Sequence, residues 1–312
     1  QRVNQMGTRP ALTLLNRLLE IYKKDTELEI LKARLLLRAG EAQQSRNLAT
    51  KIFKESALND GQRYALHQLI NLTVKDAVQV SGQYISFSDD YPRDDPWYVM
   101  SGEYQHNFSN LSLIGRTTYS DRSFKDGILY EIEAYPIFSE KFYAFGNVGF
   151  SDGSIFPDLR ISASGFYNFA PSFEAEVGFR SLIYGGNNHF TGIGGITTYT
   201  GKFYLNARAF IGPERLEKLI QNYQFNIRYY LSTPENYLFG RLGSGISPDE
   251  PTIYTRTQEN PTLEAWYFTT GLNKSIGIHH VVSISGGFLF EDLPNEGKGQ
   301  QTSAGLGYRY KF

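Results

Sequence analysis

Histidine is the side chain best suited to acid–base or metal chemistry near neutral pH, and this sequence contains five histidines. They are His67, His106, His189, His279 and His280. None belongs to an HExxH motif, and adjacent residues of a strand point to opposite faces, so the last two are poorly placed to share a metal ion. The chain also has no cysteine. The sequence therefore predicts no catalytic residue, no metal site, no cofactor and a protein that is not an enzyme.

Charged side chains form the second group that could do chemistry, and thirteen of them lie in segments where polar and apolar residues alternate. Acidic and basic residues are interspersed, so they can pair with one another or act together on a charged solute. They are Glu103, Arg116, Glu131, Glu133, Arg160, Glu174, Glu176, Arg180, Arg208, Arg228, Arg241, Arg309 and Lys311. Whether these residues face one shared space depends on the elements that carry them.

The pattern of those elements has a period of two from residue 79 to the C terminus, which is typical of strands. The apolar rows at alternate positions of 203–211 and 223–231 carry no charge, and Arg208 and Arg228 lie on the opposite faces. Aromatic residues stand at the ends of such rows, and the chain has 22 tyrosines and 22 phenylalanines. Polar and apolar residues also alternate in the strands of a soluble sandwich. Aromatic residues at the ends of the apolar rows favour a membrane barrel, because such residues are enriched at the level of the lipid headgroups.

Fourteen strands are expected, most of them ten to thirteen residues long, which suits a tilted crossing of a bilayer. Tight turns are expected after most of the even-numbered strands and longer polar loops after the odd-numbered ones, as in barrels of the outer membrane. The first segment alternates weakly around Gln83 to Phe87, so twelve strands is the alternative. The prediction is a mainly β fold, a transmembrane antiparallel up-and-down β-barrel over residues 79–312.

Residues 1–78 differ because leucines recur there at spacings of three and four, which predicts helices. Asp25 is placed to cap the second helix, Gly40 to end it, and Asn59 or Asp60 to open a last helix that runs to about Val78. Residues 27–57 are similar to one tetratricopeptide hairpin, with an unrelated helical bundle as the alternative. A small α-helical, tetratricopeptide-like domain on the periplasmic side is expected before the barrel.

The chain ends SAGLGYRYKF, a strand with one aromatic face and one polar face. An aromatic C terminus preceded by alternating aromatics is typical of the signal that barrel assembly machinery recognises during insertion. Its predicted residues are Gly305, Tyr308, Tyr310 and Phe312. The plainer interpretation is a last strand that only needs apolar residues. An even strand count places this terminus and the helical domain on the same side, predicted to be the periplasm.

With the strand faces assigned, the thirteen charged residues are expected to line the lumen of the barrel. Two interpretations stay open: the charges satisfy one another inside a closed barrel, or they select what passes. Aromatic residues on the same faces either fill the interior or stack on sugar rings. They are Tyr143, Phe145, Phe166, Tyr204 and Tyr230.

The domain order, the loop pattern and the stretches LSLIGRTTYSDRSF and SAGLGYRYKF resemble the YaiO family of outer-membrane β-barrel proteins. The resemblance implies an outer-membrane location in a Gram-negative bacterium and a barrel fold, and it brings no catalytic residues. A looser likeness connects the chain with exopolysaccharide export porins, which join periplasmic tetratricopeptide repeats to a barrel.

Three functions follow as hypotheses. The first is a non-enzymatic outer-membrane barrel whose periplasmic helices dock a protein partner, as a component or accessory of an envelope complex. The second is a channel for small solutes or exported glycans, and the third is a membrane-embedded enzyme acting on lipid or glycan. Outer-membrane lipids are expected to surround the barrel. A formal net charge of -1 excludes the basic surplus that nucleic-acid binding needs.

Overall fold

The computed structural model describes residues 7–91, 95–122, 125–152, 155–215, 218–245, 265–293 and 297–312, with the backbone alone for 213–215 and 218–220. The described chain divides into two compact units. One consists of the segment up to Lys75 together with Tyr230–Asn236, and the other of Asp76–Tyr229 with Tyr237–Phe312.

The first unit contains the helices α1 (Thr8–Ile21), α2 (Thr26–Arg38), α3 (Ala42–Glu55) and α4 (Asp60–Leu72). None of these four described helices is long and apolar enough to cross a membrane.

Asp25, Gly40 and Asn59 lie at helix ends, as the sequence predicts. The Asp25 carboxylate accepts hydrogen bonds from the backbone N–H groups of Glu27 and Leu28 at 3.0 and 3.1 Å, which satisfies donors that a helix start leaves unpaired. Gly40 follows α2 with a φ of 82°, a conformation that glycine adopts without strain. Asn59 and Gln62 form a capping box at the start of α4.

Small residues let α2 and α3 pack closely. The Ser45 hydroxyl is fully buried and donates a hydrogen bond of 2.7 Å to the backbone carbonyl of Ala33. Ala11, Leu15 and Leu35 form a buried apolar cluster that joins α1 to α2. The likeness to a tetratricopeptide hairpin stays a prediction.

The second unit is a closed barrel in which the fourteen described strands follow one another in antiparallel order and β1 pairs with β14. The strands are β1 (Asp76–Phe87), β2 (Trp97–Asn107), β3 (Leu111–Asp121), β4 (Asp126–Pro136), β5 (Phe142–Ser151), β6 (Leu159–Ala170), β7 (Phe173–Tyr184), β8 (Asn187–Thr200), β9 (Phe203–Arg215), β10 (Lys218–Tyr230), β11 (Tyr237–Ser244), β12 (Ala265–Ile276), β13 (His280–Asp292) and β14 (Lys298–Lys311). Closure removes the free edges that would otherwise promote aggregation.

The predicted fourteen strands are confirmed, and the twelve-strand alternative is wrong. The weakly alternating first segment is a full strand because it has a partner on each side: Gln83 lies opposite Gly305 of β14 and Val99 of β2. Backbone pairing on both edges holds this strand even where its side chains alternate poorly.

The change from helix to strand comes earlier than the sequence predicts. The last helix ends at Leu72 and β1 begins at Asp76, whereas the leucine pattern predicts a helix to about Val78. Val78 lies opposite Tyr310 and Tyr104, so pairing with two strands overrides its local preference.

The connection after β7 is a turn of two residues. Gly185 and Gly186 alone join β7 to β8, with φ values of 53° and 83°. Two residues with positive φ form the tight turn that matches the twist of a hairpin. The even strand count brings the two chain ends of the barrel together, where the backbones of Asp76 and Phe312 exchange two hydrogen bonds.

Candidate functional site

The two faces of the barrel wall differ in chemistry. Outward-pointing residues such as Val177 and Leu306 are 74% and 62% exposed, whereas the inward-pointing Glu131 and Glu176 are 5% and 4% exposed. This arrangement reverses that of a soluble protein, in which apolar side chains are buried and carboxylates face water. It fits a wall that has hydrocarbon outside and a polar interior.

The interior encloses a cavity of about 930 Å³ to which residues from all fourteen described strands contribute. Ten of the thirteen charged residues singled out from the sequence line it: Arg116, Glu131, Glu133, Arg160, Glu174, Glu176, Arg180, Arg208, Arg228 and Arg241. The strands bring these residues together because each occupies an inward position of the two-residue period.

An ion-pair network centred on Arg116 occupies the wall formed by β2, β3, β4 and β6. The Nε atom of Arg116 lies 2.7 Å from Glu103, and its Nη1 atom lies 2.7 Å from Glu133 and 3.6 Å from Glu131. Arg160 reaches Glu131 at 3.2 Å. Buried carboxylates need such partners, since an uncompensated charge in this setting is strongly unfavourable.

A second ion pair joins Glu176 of β7 to Arg208 of β9. The Nη2 atom of Arg208 donates to Glu176 Oε1 at 2.7 Å, and the Ser164 hydroxyl donates to the same oxygen at 3.0 Å. Gly195 lies between them on β8, and a Cβ atom there would meet Glu176 Oε2 at 3.1 Å and Arg208 Cγ at 3.2 Å. A glycine at this position therefore leaves room for the pair.

Arg228 and Arg241 have a different setting from Arg116. The guanidinium carbon of Arg228 lies 4.9 Å from the centre of the Tyr204 ring and 5.1 Å from that of Tyr237. The Nε atom of Arg241 donates to Asn226 Oδ1 at 2.9 Å. Aromatic faces contact the guanidinium of Arg228, and an amide oxygen accepts a hydrogen bond from Arg241.

The remaining three charged residues do not line the cavity. Glu103 contacts it only through Arg116, and the Arg309 guanidinium donates to the Gln105 side chain. Lys311 is 3% exposed at the end of β14, and its backbone N–H donates to the carbonyl of His279 at 2.9 Å.

The predicted assembly signal lies on β14 and just after it. Tyr308 and Phe312 are exposed on the outer face, and the rings of Tyr310 and Phe312 lie 5.8 Å apart. Gly305 occupies an inward position, where a Cβ atom would come within 2.6 Å of the Ser285 hydroxyl. The role of these residues in assembly stays a prediction.

Four of the five aromatic residues singled out for the interior line the cavity, among them Tyr143 and Phe166, which stack with ring centres 4.6 Å apart. The fifth, Tyr230, ends β10 and groups with the helical unit. Tyr143 also hydrogen-bonds to Glu174. These rings therefore hold charged neighbours in position as well as filling space.

Sequence reasoning missed buried residues in the connections after β3 and after β5. Arg122, which follows β3, is 1% exposed and lies with its guanidinium carbon 4.5 Å from the centre of the Trp97 ring. Beyond β5, Ile155 and Phe156 are buried against Leu129 of β4. The apolar pair Ile155-Phe156 inside an otherwise polar loop is the signal in the sequence that could have revealed this contact.

None of the five histidines is among the described residues that line the cavity. Rings of the adjacent pair have centres 6.5 Å apart, and their Nδ1 atoms have different partners: the Lys311 carbonyl for His279 and the Tyr308 hydroxyl for His280. His106 lies 2.7 Å from Asp76. Among the described residues, no group of three or more His, Asp or Glu side chains is arranged to hold a metal ion.

Known proteins share this architecture. The CymD monoaromatic hydrocarbon channel is 9% identical, with a TM-score of 0.55 over 84% of this chain and 93% of that chain. The outer membrane protein Omp33 of Acinetobacter baumannii is 12% identical, with a TM-score of 0.49 over 77% of this chain and 98% of that chain. No curated protein matches the sequence.

A family model described as the YaiO membrane beta barrel domain matches residues 75–250, more than half of the chain. The match starts within one residue of β1 and runs through β11, so it coincides with the barrel rather than with the helices. Together with the closed barrel, it points to the outer membrane of a Gram-negative bacterium. The chain belongs to the YaiO family of membrane β-barrels.

Proposed function

We propose that this protein is a channel that lets small polar solutes cross the outer membrane through its lumen. The observation that carries the proposal is the cavity of about 930 Å³, whose lining combines charged, amide and hydroxyl side chains with aromatic ones. A barrel of this size could instead fill its interior with bulky side chains. Here the inward faces combine ion pairs with serine, threonine and asparagine, which favours a hydrated interior.

The ion pairs support this proposal because they let charged residues remain in the wall. Arg116 has three carboxylates within 4 Å, and Arg208 has one, so the carboxylates are compensated without filling the centre of the barrel. Water and a passing solute can then form hydrogen bonds with those atoms of the paired side chains that face the cavity. CymD, which has the same fold, is itself a channel.

Two neighbouring threonines of β12 provide a matched test of the channel. Thr269 lines the cavity, whereas Thr270 is exposed on the outer face. In planar-bilayer recordings we expect stepwise currents from the unaltered protein. Thr269→Trp should lower the conductance of each step because the ring enters the cavity, and Thr270→Trp should leave it unchanged.

Absence of current at every voltage would contradict the channel, and so would equal conductance in both variants. Circular dichroism in detergent checks that each variant retains its strands.

A second candidate function, docking of a protein partner, is favoured by apolar residues exposed on the helical unit. Ile21 and Tyr22 at the end of α1 are 72% and 58% exposed, and Leu72 at the end of α4 is 65% exposed. We propose that these ends contact another envelope protein in the periplasm. Apolar groups exposed in this way are typical of interaction surfaces.

A photo-crosslinking residue at position 22 tests docking in intact cells, with position 16 on the polar side of α1 as the control. The docking proposal predicts one discrete crosslinked protein from position 22 and none from position 16. No crosslink at position 22, or the same products from both positions, would contradict it.

We propose that the protein is not an enzyme. The histidines that would be needed for acid–base catalysis make contacts within the barrel wall, as the Asp76–His106 and His280–Tyr308 pairs illustrate. Replacing His106, His189 and His280 by alanine should leave the lipid and glycan composition of the outer membrane unchanged. A change in either composition would indicate an enzyme.

A further inference from the structure

We infer that the outward face of β12, β13 and β14 binds the phosphate group of an anionic phospholipid, close to the rim of the barrel that carries Phe312. The residues that bind it are Lys274 of β12, His280 of β13 and Tyr308 of β14. The inference goes beyond the proposed channel, because none of these three residues is among the described residues that line the cavity.

Lys274 has an unusual position for a charged residue. Its side chain is exposed on the outward face of β12, as are those of Trp266 and Phe268. A charge on the lipid face of a barrel is unfavourable, and the cost falls only near the two interfaces. Where side chains of the strands are described, the other outward-pointing charges stand at the first or last residue of a strand: Asp76, Asp121, Asp126, Asp292 and Lys298.

The immediate neighbours of Lys274 on this face are apolar. Val282 lies opposite it on β13, and Leu272 and Ile276 flank it along β12. In the described part of the chain, the Lys274 ammonium forms no ion pair with a carboxylate. An anion from outside the chain can therefore compensate this charge, and lipid is what covers the outward face.

The strand register places two further polar side chains beside Lys274. Val282 lies opposite Lys274 on one side and opposite Tyr308 on the other, and His280 precedes Val282 by two residues on the same face. Diagonal neighbours of this kind are about 7–8 Å apart, within reach of long side chains. Lys274, His280 and Tyr308 therefore surround the smaller side chain of Val282.

The His280 imidazole is oriented by its neighbours. Its Nδ1 atom lies 2.7 Å from the Tyr308 hydroxyl, and its ring centre lies 5.2 Å from that of Tyr310. When the hydroxyl donates to Nδ1, the proton of the neutral imidazole lies on Nε2. This N–H group can donate to a phosphate oxygen, and Lys274 supplies the positive charge.

The height of these residues matches a lipid headgroup. Tyr104, Tyr308 and Tyr310 point outward near this rim, and such aromatic residues mark the headgroup level. Lys274 lies two residues before the end of β12, about 7 Å along the strand. A lysine side chain can extend over that distance along an apolar wall toward the headgroups. Phosphatidylglycerol suits the site because its headgroup carries a phosphate and no cation.

Native mass spectrometry of the full chain in detergent tests this inference, with phosphatidylglycerol or phosphatidylcholine of the same acyl chains added. The unaltered protein should retain phosphatidylglycerol roughly fivefold more tightly than phosphatidylcholine, as expected for one lysine near an anionic lipid. Lys274→Gln should lose this preference because it removes the charge. Lys274→Arg should keep it.

Lys141→Gln provides the matched control, because Lys141 is exposed in the turn before β5, at the same rim of the barrel, and is not on a strand. It removes the same charge and should keep the preference for phosphatidylglycerol. Heat-modifiable migration on gels shows that each variant is folded.

Equal retention of the two lipids by the unaltered protein would overturn the site. A preference that persists in Lys274→Gln, or that is also lost in Lys141→Gln, would overturn the assignment to Lys274. Displacement of phosphatidylglycerol by an excess of glycerol phosphate, or tighter retention of lipid A, would show that the phosphate does not come from a phospholipid. Each of these outcomes leaves the channel proposal unaffected, since Lys274 is not among the described residues of the cavity lining.

Discussion

At the residue scale, the interior of this barrel contains buried charges that are compensated by residues of opposite charge. Glu176 is 4% exposed and accepts hydrogen bonds from both Arg208 and Ser164, so its ionised form is compensated. Arg116 compensates three carboxylates at once. Removing one member of such a set leaves the other members charged, desolvated and unbalanced.

We therefore expect Glu176→Ala to lower the free energy of unfolding by about 2 kcal/mol, after allowance for the partial exposure of Arg208. The double variant Glu176→Ala/Arg208→Ala should lose less than the sum of the two single variants, because each single change leaves an unpaired charge. Urea unfolding in lipid vesicles measures all three. Glu140→Ala, in the exposed turn after β4, serves as the control.

Additive losses in this cycle would show that Glu176 and Arg208 do not stabilise the wall as a pair.

At the scale of the elements, the strands were predictable, but the residue at which β1 begins was not. All fourteen strands could be predicted because alternation with a period of two is imposed along the whole wall by lipid outside and water inside. The start of β1 was missed because Val78 is held by pairing with β2 and β14, which no local pattern records. The helix ends at Asp25, Gly40 and Asn59 were predictable since capping is local.

The charged lining was accessible from the sequence for the same reason as the strands. Residues on strands, such as Arg116 and Arg228, could be assigned to the inward face by counting. Arg122 and Phe156 could not, because both follow the end of a strand, where the period of two stops and the fold of the connection decides the position.

The connection after β5 leads to a prediction at this scale. Phe156 is fully buried against Leu129, so Phe156→Ala removes a large apolar contact and should destabilise this end of the barrel by about 3 kcal/mol. We expect limited proteolysis between β5 and β6 to become faster, while the far-ultraviolet circular dichroism of the barrel stays the same.

Phe150→Ala is the control, because Phe150 is a phenylalanine of β5 exposed on the outer face. Unchanged proteolysis in Phe156→Ala would show that the contact with Leu129 does not hold the connection.

At the scale of the whole molecule, closure unites the first and last strands of the barrel. The backbones of Asp76 and Phe312 exchange hydrogen bonds of 3.2 and 2.9 Å, and eleven residues of β1 lie opposite partners in β14. Because β1 can pair with β14 only once the strands between them are in place, we propose that assembly machinery recognises the last strand and holds it until closure. The aromatic outer face of β14 is suited to that recognition.

Phe312→Ser should therefore slow membrane insertion by barrel assembly machinery, with roughly tenfold less folded protein at early times, a barrier change of about 1.4 kcal/mol. Phe312→Tyr keeps the aromatic ring and should insert normally. Heat-modifiable migration on gels, sampled over time after mixing with reconstituted machinery, measures the folded fraction. Equal rates for both variants would contradict a signal in this residue.

The claim on which every proposal depends is that the wall separates lipid from a wet lumen. Because the chain has no cysteine, single cysteines can be introduced one at a time along β12, from Ala265 to Ile276, in liposomes. A charged, water-soluble thiol reagent should label Thr269→Cys and the other inward positions, while an apolar reagent should label Thr270→Cys and the outward ones. Uniform reaction of all twelve positions with the charged reagent would contradict the claim.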